Sequence, residues 1–220
     1  MKFFEKSALH ALVTRLRVGG GPPISRGFEM HSRSWLALAL VGISVSAHAD
    51  EAELYIADEA IQGRYATGAD LIGLSTGNLA AEVFTNQEDD LLGTLGLEFS
   101  GMPGAMSPLV ITAGPKLYLA TLDFLDDSFT TVAIGGKARY AIDTQITGIP
   151  AFVSAQYYYA PEILSFGEAD DMQDFIVRLE AEFVPNLTGF FGYRLLEADL
   201  EDSGDYELDD DIHLGLRFNF

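Results

Sequence analysis

The chain has 220 residues, enough for one domain with a leader, and 48% of them are hydrophobic, which excludes an intrinsically disordered protein. It contains no cysteine, so a disulfide framework, a thiolate metal site, a cysteine nucleophile and an acylated amino-terminal cysteine are all excluded. The formal charge is −20, and no apolar run reaches the roughly 18 residues that a spanning helix requires, so neither a nucleic-acid partner nor a helical anchor fits.

The first feature in chain order is an export signal at residues 30–49. "MHSRSW" from Met30 supplies a basic start, "LALALVGISV" an apolar stretch, and Ala47 to Ala49 a small-x-small cleavage site before Asp50. Residues 1–29 then read as an upstream extension from a misassigned start. The competing reading is a long basic leader, because "MKFFEKSALHALVTRLRV" has amphipathic character. Cleavage after Ala49 leaves seven basic and 31 acidic side chains in 50–220, a formal charge of −24.

From Ala52 onward the period is two, and no sustained helical period interrupts it. The spacing predicts strands at 52–57, 60–66, 79–86, 91–100, 108–121, 128–142, 151–160, 173–184, 187–199 and 210–220. Residues 67–76 are ambiguous, so the count is eight to ten. Short turn sequences ("GN" at 77–78, "TGIP" at 147–150, "PN" at 185–186) alternate with longer acidic stretches such as 86–90, 122–128, 161–171 and 200–210. An antiparallel up-and-down transmembrane β-barrel follows from this alternation, with both termini on the short-turn side and acidic loops outside.

The basic residues test that reading. All seven in 50–220 (Arg64, Lys116, Lys137, Arg139, Arg178, Arg194 and Arg217) fall on the less apolar face of their strands, together with Glu82, Glu98, Glu180, Glu182 and His213. An unpaired Lys or Arg facing the bilayer midplane costs about 2 to 4 kcal/mol, so these twelve side chains are expected in the lumen. A soluble lipocalin-like carrier also alternates, with the faces reversed. At the carboxyl end Ile212, Leu214, Leu216, Phe218 and Phe220 alternate with His213, Gly215, Arg217 and Asn219. This resembles the insertion signal of Gram-negative outer-membrane barrels, a final strand closing on an aromatic residue.

Several stretches resemble the YfaZ family of small outer-membrane proteins: "GPKLYL" (114–119), "IGGKARY" (134–140), "YYAPE" (158–162) and "GYR" (192–194). The resemblance implies a barrel in the outer membrane, and it supplies no catalytic residues. The expected partners are outer-membrane lipid and lipopolysaccharide, and the barrel-assembly machinery during insertion. The expected state is a monomer.

Three features invite other chemistry. "GLSTG" at 73–77 matches G-x-S-x-G, with Ser75 as nucleophile and Asp199 and His213 following, but the strand–turn–helix context that the motif needs is missing. A barrel enzyme centred on His213 is weaker than a structural lumen histidine. Asp202, Asp205, Glu207, Asp209 and Asp210 form an acid-rich run that could bridge a divalent cation, without the ordered ligand spacing of a calcium loop. No cofactor is expected. The sequence supports first a structural or surface-interaction barrel, next a narrow channel favouring small anions.

Overall fold

The computed structural model describes residues 50–123, 125, 127–201 and 204–220. The leader expected at 1–29 and 30–49 and the candidate ligand Asp202 lie outside the described residues. Among these, eleven strands form one antiparallel sheet: β1 (Glu51–Ala57), β2 (Ala60–Gly68), β3 (Asn78–Asn86), β4 (Leu91–Gly101), β5 (Leu109–Leu122), β6 (Asp127–Ile142), β7 (Ala151–Ala160), β8 (Ser165–Gly167), β9 (Ala169–Val184), β10 (Leu187–Leu200) and β11 (Gly204–Asn219). Ten of them close a barrel, because β11 returns to β1 through pairs running from Glu51↔Asn219 to Ala57↔His213. Closure satisfies the backbone of both outer strands and leaves no edge to the bilayer. The short β8 pairs only with Phe129–Thr131 of β6; β7 and β8 are one strand interrupted by a 3-10 turn at Glu162–Leu164.

Alternation along each strand sorts the side chains. Leu95, Ile111, Ile134, Val153, Leu179 and Phe191 project outward from six strands, and Ile212, Leu214, Leu216, Phe218 and Phe220 are exposed on the same outer surface. Their neighbours Thr94, Ser154, Arg178, Glu180, His213 and Arg217 are buried inside. An apolar outer surface this continuous has no stable exposure to water, and it is the surface that a bilayer solvates.

The interior changes character along the axis. Toward the end where Asp50 and Phe220 meet (Phe220 N–H donates to Asp50 O at 2.9 Å) it is ionic and partly open. Toward the far end it is a close-packed apolar core containing Phe84, Leu92, Tyr118, Leu122, Phe129, Met172, Leu196 and Leu200. A β-bulge where Leu196 opposes Asp209 and Glu197 opposes Glu207 adds one residue to β11. The extra residue lets Leu208 and Asp209 both point inward.

Two expectations are corrected here. Two of the acidic stretches, 161–171 and 200–210, run into strand rather than staying loop: β9 begins at Ala169 and β11 at Gly204, so their outer ends extend the ladder, while 86–90 and 122–128 remain mostly connection. The expected contrast in length is also reversed, since the termini-end connections 69–77, 102–108 and 143–150 are long and only 185–186 is tight, whereas 58–59, 87–90, 123–126 and 201–203 at the far end are short and only 161–168 is long. The two ends differ in charge as well. Far-end connections carry eleven acids, and termini-end connections carry two, Asp70 and Asp143. Strand replaces loop because the far-end acids face water from the outer side while Tyr206, Leu208 and Leu200 supply an inner side to pack.

Inward glycines make room for the largest lumen side chains. A Cβ on Gly215 would stand 2.1 Å from Phe190 Cζ and 2.3 Å from Leu54 O, and one on Gly192 would stand 2.8 Å from Arg178 Cγ. Gly215→Val is therefore expected to destabilise the barrel by about 1 to 3 kcal/mol through overpacking. The measurement is the temperature at which the compact, cold-SDS-resistant form is lost on electrophoresis, which falls in the variant.

Candidate functional site: the ionic barrel interior

The lumen site is built from cross-strand neighbours. Register places Glu53 of β1 opposite both Arg217 and Arg64, Arg64 opposite Glu82, and Ser154 opposite Arg178. Opposed charges on one face are the sheet's ordinary means of pairing side chains, and here the face is enclosed.

Glu180 is the hub of one wall. It is fully buried and accepts hydrogen bonds from Ser154 Oγ at 2.7 Å, Arg139 Nε at 2.9 Å and Arg217 Nη1 at 2.8 Å, with Lys137 Nζ 3.8 Å away. Arg217 Nε also donates to Glu53 Oε2 at 3.0 Å, and Arg178 Nη1 donates to Glu53 Oε1 at 2.7 Å. On the facing wall, Arg64 Nη2 bonds both Glu98 oxygens at 2.8 Å, Arg64 Nε lies 3.3 Å from Glu82, and Arg64 Nη1 reaches Glu51. Lys116 Nζ completes that wall by donating to Glu82 Oε1 at 3.1 Å.

A second cluster sits deeper. Arg194 donates Nε to Asp174 Oδ1 at 3.0 Å and Nη1 to Gln62 Oε1 at 2.6 Å, while Tyr118 donates to Asp174 Oδ2 at 2.9 Å. Tyr55 donates to Asp209, and Arg178 Nε donates to His213 Nε2 at 3.1 Å. Aromatic faces cover the cations, with Arg139 3.4 Å from the Phe152 centroid and Arg178 4.3 Å from that of Phe190. His213 packs against the Tyr55 ring at 4.3 Å and is wholly enclosed.

All twelve lumen candidates (Arg64, Glu82, Glu98, Lys116, Lys137, Arg139, Arg178, Glu180, Glu182, Arg194, His213 and Arg217) point into this interior. Sequence reasoning missed Glu51, Glu53 and Asp174, which share the same alternating face and were legible there. It also missed Asp90, a fully buried carboxylate in the turn after β3. Asp90 accepts from Asn86 Nδ2 at 3.0 Å, the Asp123 backbone N–H at 2.9 Å and Tyr206 OH at 2.7 Å, which ties three far-end segments together. No local pattern announces such a residue, because its partners lie 33 and 116 positions away.

The other candidates come apart. Ser75 is exposed in a termini-end connection, Asp199 stands at the far end of β10 and His213 is enclosed between them, so the hydrolase constellation does not assemble. Asp205 and Glu207 face outward, Asp209 faces inward to Tyr55, and Asp210 faces outward to Tyr193. The bulge splits the acid run between two surfaces, and no group of three described His, Asp or Glu side chains is placed to hold a metal. At the outer rim, desolvation and then the carboxylates of Asp205, Asp171 and Asp170 push the Asp199 carboxyl above its ordinary value.

A sequence profile of the family described as "YfaZ precursor" matches residues 30–220. No curated protein matches. Among solved structures, the outer membrane channel DcaP of Acinetobacter baumannii is similar at 15% identity and a TM-score of 0.36, over 80% of this chain and 55% of that one. This chain thus spans about half the length of that channel. The NanC porin is similar at 12% identity and a TM-score of 0.37, over 79% of this chain and 100% of that one.

Removing the hub carboxylate leaves three cations around a buried void. Glu180→Leu is expected to cost about 3 to 5 kcal/mol, as for one partner taken from a buried ion pair. Glu162→Gln at the exposed rim changes stability by less than about 0.5 kcal/mol. Urea unfolding of both variants in lipid vesicles measures the difference.

Proposed function

The chain belongs to the YfaZ family, and from that membership we propose that it is a closed, non-conducting barrel of the outer membrane with a structural or surface-interaction role. The observation that carries this reading is the packed far half of the interior. Leu92, Leu122, Met172 and Leu196 are each at most 1% exposed, so a permeating ion meets a close-packed, largely apolar layer that does not replace its water. A cavity of about 520 Å³ lies in the ionic half, and it has the form of a vestibule backed by the packed layer.

The outer face supports the membrane placement over a soluble carrier. A lipocalin-like protein keeps its apolar face inside for its ligand, whereas here the ionic face is enclosed and the apolar face is exposed. The acid-rich far end then faces outward, where Asp170, Asp171, Glu197, Asp199 and Glu207 meet the polar surface of the membrane or a cationic partner. Lipid and lipopolysaccharide contact the barrel wall, and the termini face the periplasm. The final strand, with Ile212, Leu214, Leu216, Phe218 and Phe220 directed to lipid, serves insertion by the barrel-assembly machinery.

In planar lipid bilayers the purified protein is expected to give no stepwise conductance. Substituting Phe84, Leu92 and Leu196 together by Ala removes much of the apolar layer, and channel openings are expected from that variant once its heat-modifiability shows that it is folded. Steady unitary conductance from the unaltered chain would overturn the reading and favour a narrow channel.

A further inference from the structure

Inside the vestibule the cations are not equally employed. Arg178, Arg194 and Arg217 have side chains 7%, 1% and 6% exposed, and each holds two or more partners. Lys137 and Arg139 differ. Their side chains are 24% and 29% exposed, both to the 520 Å³ cavity, and both lean on the single carboxylate of Glu180. Among the described residues, Arg139 uses Nε on Glu180, which leaves both Nη groups without a protein acceptor. Lys137 Nζ is 3.8 Å from Glu180, beyond hydrogen-bond distance. Glu180 already accepts from Ser154, Arg139 and Arg217, and its one negative charge is shared among three cations, Arg139, Arg217 and Lys137.

We infer that the vestibule is a binding site for a small monocarboxylate, held by the free fork of Arg139 and the ammonium of Lys137. A planar guanidinium edge matches a carboxylate in two parallel hydrogen bonds, and the neighbouring ammonium supplies a third. One negative charge suits the site better than two, because Glu180 and Glu182 belong to the same wall and repel a dianion. Gln156, Thr112 and Ser100 line the remaining space and suit a polar rather than a greasy remainder. Access also has a direction. The far end carries the acid-rich connections and repels anions, while the termini-end connections carry only two acids, Asp70 and Asp143. The site is reached from that mouth whether or not the far half conducts, so this inference and the conductance reading fail independently.

The test is a titration of the folded protein in detergent micelles, with side-chain-labelled Lys and Arg followed by NMR at constant ionic strength. The probes are lactate and its neutral isostere lactamide. Saturable shifts of the Lys137 and Arg139 resonances with lactate, at roughly millimolar concentration as expected for so small a ligand, and none with lactamide, are the expected result. The double variant Lys137→Met, Arg139→Gln is expected to lose affinity by more than about tenfold, the loss of charged hydrogen bonds. Glu182→Gln removes a repelling charge without touching either cation, and is expected to tighten binding about two- to fivefold. Should the double variant fail to show a cold-SDS-resistant form, the Glu182 variant alone decides. Shifts that rise linearly without saturation, equal shifts with lactamide, or affinity unmoved by the folded variants would overturn the inference.

Discussion

Charge cannot face lipid, and nearly every feature of this barrel follows from that constraint. Each of the seven basic residues in 50–220 is enclosed, so each needs carboxylates inside the same lumen, and those come from β1, β3, β4, β9 and β11. Burying so many ions would be a poor bargain in a soluble core, where an apolar replacement is often as stable. In a bilayer the comparison differs, because the outer face is reserved for apolar groups and the polar face must close on itself. The network is therefore both a consequence of closure and a means of holding register. Glu180 joins β6, β7, β9 and β11, and Arg64 joins β1, β2, β3 and β4.

Beyond the apolar belt the rule reverses. The far ends of β9, β10 and β11 expose acids and bury Met172, Leu196, Leu200 and Leu208, as a water-soluble sheet would. Nine residues of β11, 204–212, run past the last residue of β1 that pairs with it. That uncovered edge is met by the turn after β3, where Asn86 Nδ2 donates to Leu208 O at 3.3 Å and Tyr206 donates to Glu88 and Asp90. An edge covered in this way resists pairing with another chain. One continuous sheet thus carries two solvation regimes, lipid outside an ionic lumen and water outside an apolar core. The boundary between them is also the boundary between vestibule and plug.

The division bears on function directly. On the reading proposed above, a vestibule backed by a packed layer favours retention of a small solute at one end over its passage through the barrel. The carboxylates of the acidic rim at the other end are spread over both faces of β11, which on the same reading suits an extended cationic surface more than a single ion.

Most of the architecture was legible in the sequence. Strand positions, the inner face of Arg178, Glu180 and Glu182, and the outer face of Ile212, Leu214 and Leu216 follow from a period of two, which each strand carries within itself. Glu53 and Asp174 were readable by the same rule. What the tertiary structure alone decided lies between strands. The bulge opposite Leu196 changes which acids of 205–210 face inward, and no local pattern marks it. Asp90 becomes a latch only because Tyr206 and the backbone of Asp123 arrive beside it. The inequality among the cations, Arg194 saturated and Arg139 half free, depends on which carboxylates the closed register brings within reach. Facing is a property of single strands, and a sequence states it locally. Partnership depends on stagger and closure across the whole sheet, and those are settled when β11 meets β1.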